Sequence, residues 1–363
     1  MSKRILHVVG TLEKGGIQAN LMNYYRNINR SNYQFDIVVH GKSDGFEEEF
    51  KALGGKVFYL PTIKKIGPIK YIQQFTNVIN QNGPYAAVHS HLMYQSVFIL
   101  YAAKLAGVNN RISHSHSTRV SGFIKRFKYI WQYFIKTNAT LLLSCGEKAG
   151  EFLYGKSKYS ILPNAIDIEK FEKNSSEKCI EMRNSLNIPS NSLVLGHIGR
   201  FTTVKNHHFL IDLLKQCIEK DLNVTLILVG DGPLKYEVEK HVSELKLTNS
   251  VYFMGLRDDI PCLLNLFDVF LLPSLYEGFP VVTVESQAAG VPALVSDSVS
   301  KEIDLGIGLV EFLPINEVEK WIEVIGNFQK KDIDRNEIKA VFKSRMFDIR
   351  ASVKQLEFIY DGE

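Results

Sequence analysis

Short apolar runs alternate with amphipathic stretches along the chain, and the alternation happens twice. In the first half, apolar runs at 4–10, 35–40, 57–60, 86–91, 112–116, 140–145 and 160–162 have the length and near-unbroken hydrophobicity of parallel strands buried on both faces. Between them, apolar positions three to four apart predict helices over 17–29, 46–53, 69–80, 95–106 and 123–136, with a short one after Cys145. The rhythm then restarts. Strands are expected at 193–198, 224–229, 251–254, 269–272 and 293–296, with helices at 206–220, 234–245 and 280–289. The tail, from about 316 to 360, reads as mostly helical.

Strand–helix alternation means parallel sheets with helices on both faces. The expected fold is α/β, with two Rossmann-like, doubly wound domains. A polar stretch at 163–188 separates them and breaks best at 163–167. The expected division is 1–165 and 166–344, with a C-terminal helix at about 345–363 returning to the first domain. In such sheets ligands bind beyond the carboxyl ends of the strands, so the natural site is a cleft between two facing domains.

Composition narrows the setting. No apolar run reaches the ~18 residues of a membrane span; the best, 97–106, contains Lys104. The N-terminus carries Lys3 and Arg4, but His7 interrupts the apolar run and no small-residue cleavage site follows, so it reads as a first strand. Cys145, Cys179, Cys217 and Cys262 form no CxxC pair, which favours reduced thiols in the cytoplasm over disulfides or a zinc site. The net charge of +4 conceals an asymmetry. Residues 1–185 hold 25 basic and 13 acidic side chains; residues 186–363 hold 18 and 26. The first half is thus suited to an anionic partner. The segment 123–136 (FIKRFKYIWQYFIK) mixes Lys125, Arg126, Lys128 and Lys136 with aromatics. It fits either an ordinary covering helix or a helix lying at an anionic membrane surface, a peripheral placement at the inner face. Without a basic tail or an RNA-binding signature, nucleic acid is not an expected partner.

The densest chemistry lies in 274–292 (SLYEGFPVVTVESQAAGVP). Gly278 and Pro280 stand where a strand gives way to a helix. The first-turn N–H groups there, with the helix dipole, make an anion site. Glu277 projects just before that helix and Glu285 lies about a turn and a half into it; on the two glutamates alone, a capping loop acid at Glu277 and a solvated face residue at Glu285 is the favoured reading. His89/His91 and His114/His116 are i, i+2 pairs on strand ends and share a face. Either pair could hold a metal on geometry, with hydrogen-bonded strand-end histidines as the competing reading, favoured for His89 and His114. His207 and His208 are adjacent on a helix and point apart. Asp332-Ile333-Asp334 mimics a metal-binding D-x-D but has no strand before it and reads as a solvated helix start.

The 274–292 segment resembles the E-x7-E stretch of retaining glycosyltransferases of family 4, which have the GT-B fold. Other segments match in order: GRFTTVKN at 199–206, VGDGP at 229–233, FMG at 253–255, LPNAID at 162–167 with Ala165 where the family usually has glycine, and EKGGIQ at 13–18. The resemblance implies transfer of a sugar from a nucleoside diphosphate, UDP foremost, to a glycan or polyprenyl-linked acceptor in surface or capsular polysaccharide assembly. It implies that Arg200 and Lys205 grip the donor diphosphate, replacing a metal, so that no cofactor is expected. Glu277 would contact the donor sugar and Glu285 the ribose hydroxyls. Gly16, Gly199, Gly230, Gly255, Gly278, Phe279, Pro280 and Val281 would line the donor. His116, with His114 as competitor, would face the sugar, and His91, Lys125, Arg126 and Lys128 would lie on the acceptor or membrane side. A UDP-sugar 2-epimerase of the same fold and a non-catalytic nucleotide-sugar-binding subunit are the rival readings.

Overall fold

The computed structural model describes residues 2–13, 15–41, 45–117, 127–172, 176–329 and 333–362. Lys125, Arg126 and Asp332 lie outside them. The chain divides into two compact units, residues 1–166 with 346–363, and residues 167–345.

The first unit holds a seven-stranded, all-parallel sheet. Its strands are β1 (Lys3–Val8), β2 (Tyr33–Val39), β3 (Val57–Tyr59), β4 (Ala87–Ser90), β5 (Asn110–Ser115), β6 (Leu141–Ser144) and β7 (Ser160–Ile161), in the order β3-β2-β1-β4-β5-β6-β7. The order reverses between β1 and β4, and such a switch point opens a crevice at the strands' carboxyl ends. There His7 sits in register with His89. One face of the sheet packs Ile5, Phe35, Ile37 and Leu143 against Leu21, Tyr25 and the C-terminal helix Ile349–Asp361. The other packs Leu6, Val8 and Val88 against Phe75, Ile99 and Ala102. The C-terminal helix begins where Asp348 accepts the backbone N–H of Arg350 and ends on Gly362 in the left-handed region. Lys3 and Tyr33 hold its end through Asp361, at 2.7 and 2.6 Å.

The second unit holds a six-stranded parallel sheet of β8 (Leu193–Ile198), β9 (Val224–Val229), β10 (Val251–Gly255), β11 (Val269–Leu272), β12 (Ala293–Ser296) and β13 (Val310–Leu313), ordered β10-β9-β8-β11-β12-β13. Its switch point falls between β8 and β11. Leu195, Leu226, Leu228 and Leu271 form its core with Leu210, Leu214 and the fully buried Trp321. The edge strand β13 and the seven-residue helix Ile260–Leu266 do not stand out in the apolar pattern. The first includes Glu311 among its four residues, and the second is too short to show a helical period. The tail resolves into helices Val318–Gly326, Arg335–Ser344 and Ile349–Asp361. Asp334, from the D-x-D mimic, caps the second of these through the N–H of Asn336. The two units thus form two parallel α/β sheets of the GT-B type. Among the described residues, no helix is long and apolar enough to cross a membrane.

Candidate functional site

In the second unit the loops after β8 and β11 meet. β8 ends at Ile198; Gly199 and Arg200 follow, then a 3-10 turn, Thr203–Lys205. Asn206 takes φ +55°, an asparagine-tolerated left-handed position, and opens helix His207–Glu219. Three contacts tie this loop to the loop after β11. The Leu275 N–H donates to the Val204 carbonyl at 2.8 Å, the Asn206 amide donates to the Pro273 carbonyl at 3.3 Å, and Lys205 Nζ stands 2.8 Å from Glu277 Oε1. That last contact is an ion pair rather than an angularly sound hydrogen bond, so Glu277 Oε1 keeps an unfilled acceptor position. Glu277 is itself fixed by a bridge to Val299. Arg200 is exposed and forms no ion pair among the described residues.

Backbone approach shapes the rest of this rim. Gly230 has φ +137°, and a Cβ there would fall 2.1 Å from the Gly199 carbonyl oxygen. Only glycine lets the loops after β8 and β9 pack so closely. The Gly230 N–H donates to the Gly255 carbonyl at 2.8 Å, so Gly199, Gly230 and Gly255 form one row along three strand ends. Gly16 is different. It opens helix Gly16–Asn27 in the first unit, and a Cβ there would meet nothing within 4 Å.

Helix Val281–Ala288 follows Glu277 and Gly278, with Pro280 as its N-cap and no side-chain cap. The Thr283 N–H turns back to the Pro280 carbonyl at 3.1 Å, which leaves the N–H groups of Val281 and Val282 for a ligand. Glu285 is no solvated face residue. It is half-buried beside Thr283, Val284 and Ser286, and burial pushes its carboxyl up to about 7. Underneath, buried His207 stacks on Phe201 at 3.9 Å and meets His197 edge-on at 4.8 Å. These rings carry no partner at His197 Nε2 or at either His207 nitrogen. Sequence reasoning passed over both as site supports. The available signal was a histidine inside the apolar run of β8.

In the first unit, five histidines gather at the carboxyl ends of β1, β4 and β5. His91 Nδ1 lies 2.8 Å from His116 Nε2, and His91 Nε2 lies 3.1 Å from His7 Nδ1. The Tyr360 hydroxyl joins His7 Nε2 at 3.3 Å to His89 Nδ1 at 2.9 Å, and His89 Nε2 reaches His114 Nδ1 at 3.2 Å. Burial is the main force holding these rings neutral. It drives His89, His91 and His114 well below the usual range, with His7 near 3 and His116 near 4. Against that, the Asn164 side chain raises His116 and the Leu162 carbonyl raises His114. His114 is only 1% exposed, whereas His116 is partly open. His7 had read only as an interruption of an apolar strand; the register of β1 against β4 brings it in.

Helix Lys128–Asn138 covers this unit beside helix Ser96–Leu105. It leaves Tyr129 at 82% and Tyr133 at 63% exposed, with Ile130 and Phe134 also outward. Tyr101 and Leu105 of the neighbouring helix are exposed as well. Lys128 lies at its start, over the Phe152 ring at 5.3 Å.

Known proteins give this geometry a context. The family model described as Glycosyl transferases group 1 matches residues 180–304. EpsF of Bacillus subtilis (strain 168), a glycosyltransferase by name, is 38% identical over 371 residues, covering 99% of this chain and 96% of its own. An Escherichia coli UDP-Gal:alpha-D-GlcNAc-diphosphoundecaprenol alpha-1,3-galactosyltransferase is 28% identical over 73% of this chain and 72% of its own. Among solved structures, Anabaena HepE in complex with UDP and glucose superposes with a TM-score of 0.81 at 21% identity, covering 99% of this chain and all of that one.

Proposed function

The chain belongs to the glycosyl transferases of group 1 and moves a sugar from a nucleotide-sugar to a glycan or lipid-borne acceptor; from that premise we propose that it is a retaining, family 4 enzyme using a UDP-sugar to build a surface polysaccharide. The observation that carries this reading is the junction of the β8 and β11 loops. There Arg200, Lys205 and the uncapped helix Val281–Ala288 collect positive potential beside Glu277. Breaking the anomeric C–O bond loads negative charge onto the departing diphosphate. Lys205 held on Glu277, the exposed Arg200 of the same loop and a helix N-terminus stabilise that charge without a divalent ion. Lys205 has three N–H donors, so it can keep Glu277 while meeting a phosphate oxygen. Glu277 is assigned to the sugar and Glu285 to the ribose hydroxyls.

Retention follows from front-side displacement. The acceptor hydroxyl bonds to the anomeric carbon on the face the diphosphate leaves, and its proton goes to the departing phosphate oxygen. To the first unit the reading gives the acceptor, with His116 rather than buried His114 meeting a hydroxyl. The exposed aromatic face of helix Lys128–Asn138, on a basic half of the chain, supports docking at the inner face of the membrane, where a polyprenyl-linked acceptor is reached. The test is UDP release from a panel of UDP-sugars, with and without polyprenyl-linked acceptor, and anomer analysis of the product. An inverted product overturns retention. UDP binding that fails in excess EDTA and returns with Mg²⁺ or Mn²⁺ overturns the metal-free diphosphate site.

A further inference from the structure

The histidines of the first unit form a single file: His116, His91, His7, Tyr360, His89, His114. Five hydrogen bonds link the six groups. A neutral imidazole has one N–H and one lone pair. All five bonds form at once either if every group donates in the same direction along the file, or if both arms donate toward Tyr360, whose oxygen can accept from His7 and His89 together. In the first arrangement the ends are one N–H and one lone pair; in the second both ends are lone pairs, as metal ligation requires. Those ends are His116 Nδ1 and His114 Nε2, both shut away from solvent and without a well-formed hydrogen bond, with the Asn164 side chain beside the first ring and the Leu162 backbone beside the second. Their rings lie 4.0 Å apart, centre to centre. Something that takes up ring nitrogens at this spot would relieve the mismatch.

We propose that His91, His114 and His116 bind a divalent late first-row transition-metal ion, zinc in type, through His91 Nδ1, His114 Nε2 and His116 Nε2. One ligand nitrogen from each of the three already lies within 4.8 Å of the others. Tetrahedral Zn–N bonds of about 2.0–2.1 Å place ligand nitrogens roughly 3.3 Å apart. The His91–His116 pair, at 2.8 Å, therefore opens slightly and His114 closes in. The outer nitrogens are already provided for. His91 Nε2 faces His7, His114 Nδ1 faces His89, and His116 Nδ1 stands by Asn164, whose Oδ1 is likewise buried without a partner. Such contacts fix ligand tautomers and rank with the ligands themselves in setting affinity. Both backing histidines converge on the Tyr360 oxygen, which has two lone pairs to accept them.

The deeper trio His7, His89 and His91 is equally close-set, but it is wholly buried with a partner on every nitrogen, whereas the outer trio has the unbonded His114 Nε2 and the partly open His116. Imidazole-only donors suit zinc, cobalt, nickel or copper and not magnesium or calcium. Because His116 is partly open, the fourth position faces outward, for water or an anionic oxygen. The hydroxyl assigned to His116 would then meet the ion, but metal binding itself depends neither on that assignment nor on the diphosphate site.

The test uses untagged full-length chain stripped with EDTA, titrated with Co²⁺ and followed by the visible absorption of tetrahedral cobalt. The band should saturate at one ion per chain and vanish on adding Zn²⁺. His114→Ala should abolish it, and His116→Asn, at the half-open end, serves if that variant does not fold. Tyr360→Phe, which keeps the ring and loses the anchor of the two backing histidines, should weaken affinity by less than the roughly 10- to 100-fold typical of losing a ligand's direct partner. UDP binding, which belongs to the other unit, reports that each preparation is folded. Absence of a tetrahedral cobalt band in the wild type, or a band unchanged in the folded histidine variants, overturns the proposal and leaves a neutral hydrogen-bonded file.

Discussion

The two sheets use the same topological feature with opposite chemistry. At the β1/β4 switch point the polar groups are imidazoles and one phenol, buried and held neutral. At the β8/β11 switch point they are Arg200, Lys205, Glu277 and Glu285, within reach of solvent. Burial separates the two. A neutral ring can be enclosed once its nitrogens find partners, whereas a full charge must keep solvent or a counter-ion. Hence Lys205 pairs with Glu277, and Arg200 stays exposed. A charged, half-open rim can bind a diphosphate; a closed neutral file is suited to holding one ring, or one metal, in a defined orientation.

The largest effects should come from the charged side. Arg200→Ala and Lys205→Ala should each lower turnover at saturating donor by about a hundredfold or more, the usual cost of removing one donor to a developing oxyanion. Near wild-type turnover in both variants would erase the contrast. Next in size is the pH response of Glu285. Burial pushes its carboxyl up to about 7, and in the role proposed for it the ribose hydroxyls would donate better to the ionised form. UDP affinity should therefore fall as pH drops below about 7, by at most tenfold per unit. Glu285→Gln should bind UDP more weakly with no such slope; a slope that survives belongs to another group.

Smaller effects sharpen the first unit. Each Lys or Arg near an anionic surface contributes ~1 kcal/mol, screened over ~8 Å at physiological salt. Lys128→Glu with Lys136→Glu should reduce co-sedimentation with anionic vesicles several-fold while UDP affinity holds. Equal binding to neutral and anionic vesicles would make the helix an ordinary cover. Smallest is Asp348→Ala, which removes the cap of the helix carrying Tyr360. It should cost about 1 kcal/mol in denaturant unfolding and leave UDP binding intact.

The parallel α/β architecture was legible because buried parallel strands leave continuous apolar runs, and every run assigned as a strand is one. Segment 274–292 was legible as a loop running into a helix because Gly278 and Pro280 mark the junction between Glu277 and Glu285. Expected helix 280–289 is observed as Val281–Ala288, with Pro280 as cap. Where the signal was short or mixed, as in β13 and in helix Ile260–Leu266, periodicity had nothing to work on.

Sequence by itself determined which residue types were available and on which elements: glutamates on a helix start, histidines at strand ends, aromatics and lysines on one amphipathic stretch. Only the tertiary structure decided which of them meet. His7 and His89 become neighbours through strand register, Tyr360 joins them because the C-terminal helix folds back onto the first sheet, and Lys205 finds Glu277 because β8 and β11 pair across intervening chain. Burial, too, is a collective property. Glu285 carries the same carboxyl as any glutamate, and its protonation is set by the groups packed around it, which no local pattern records.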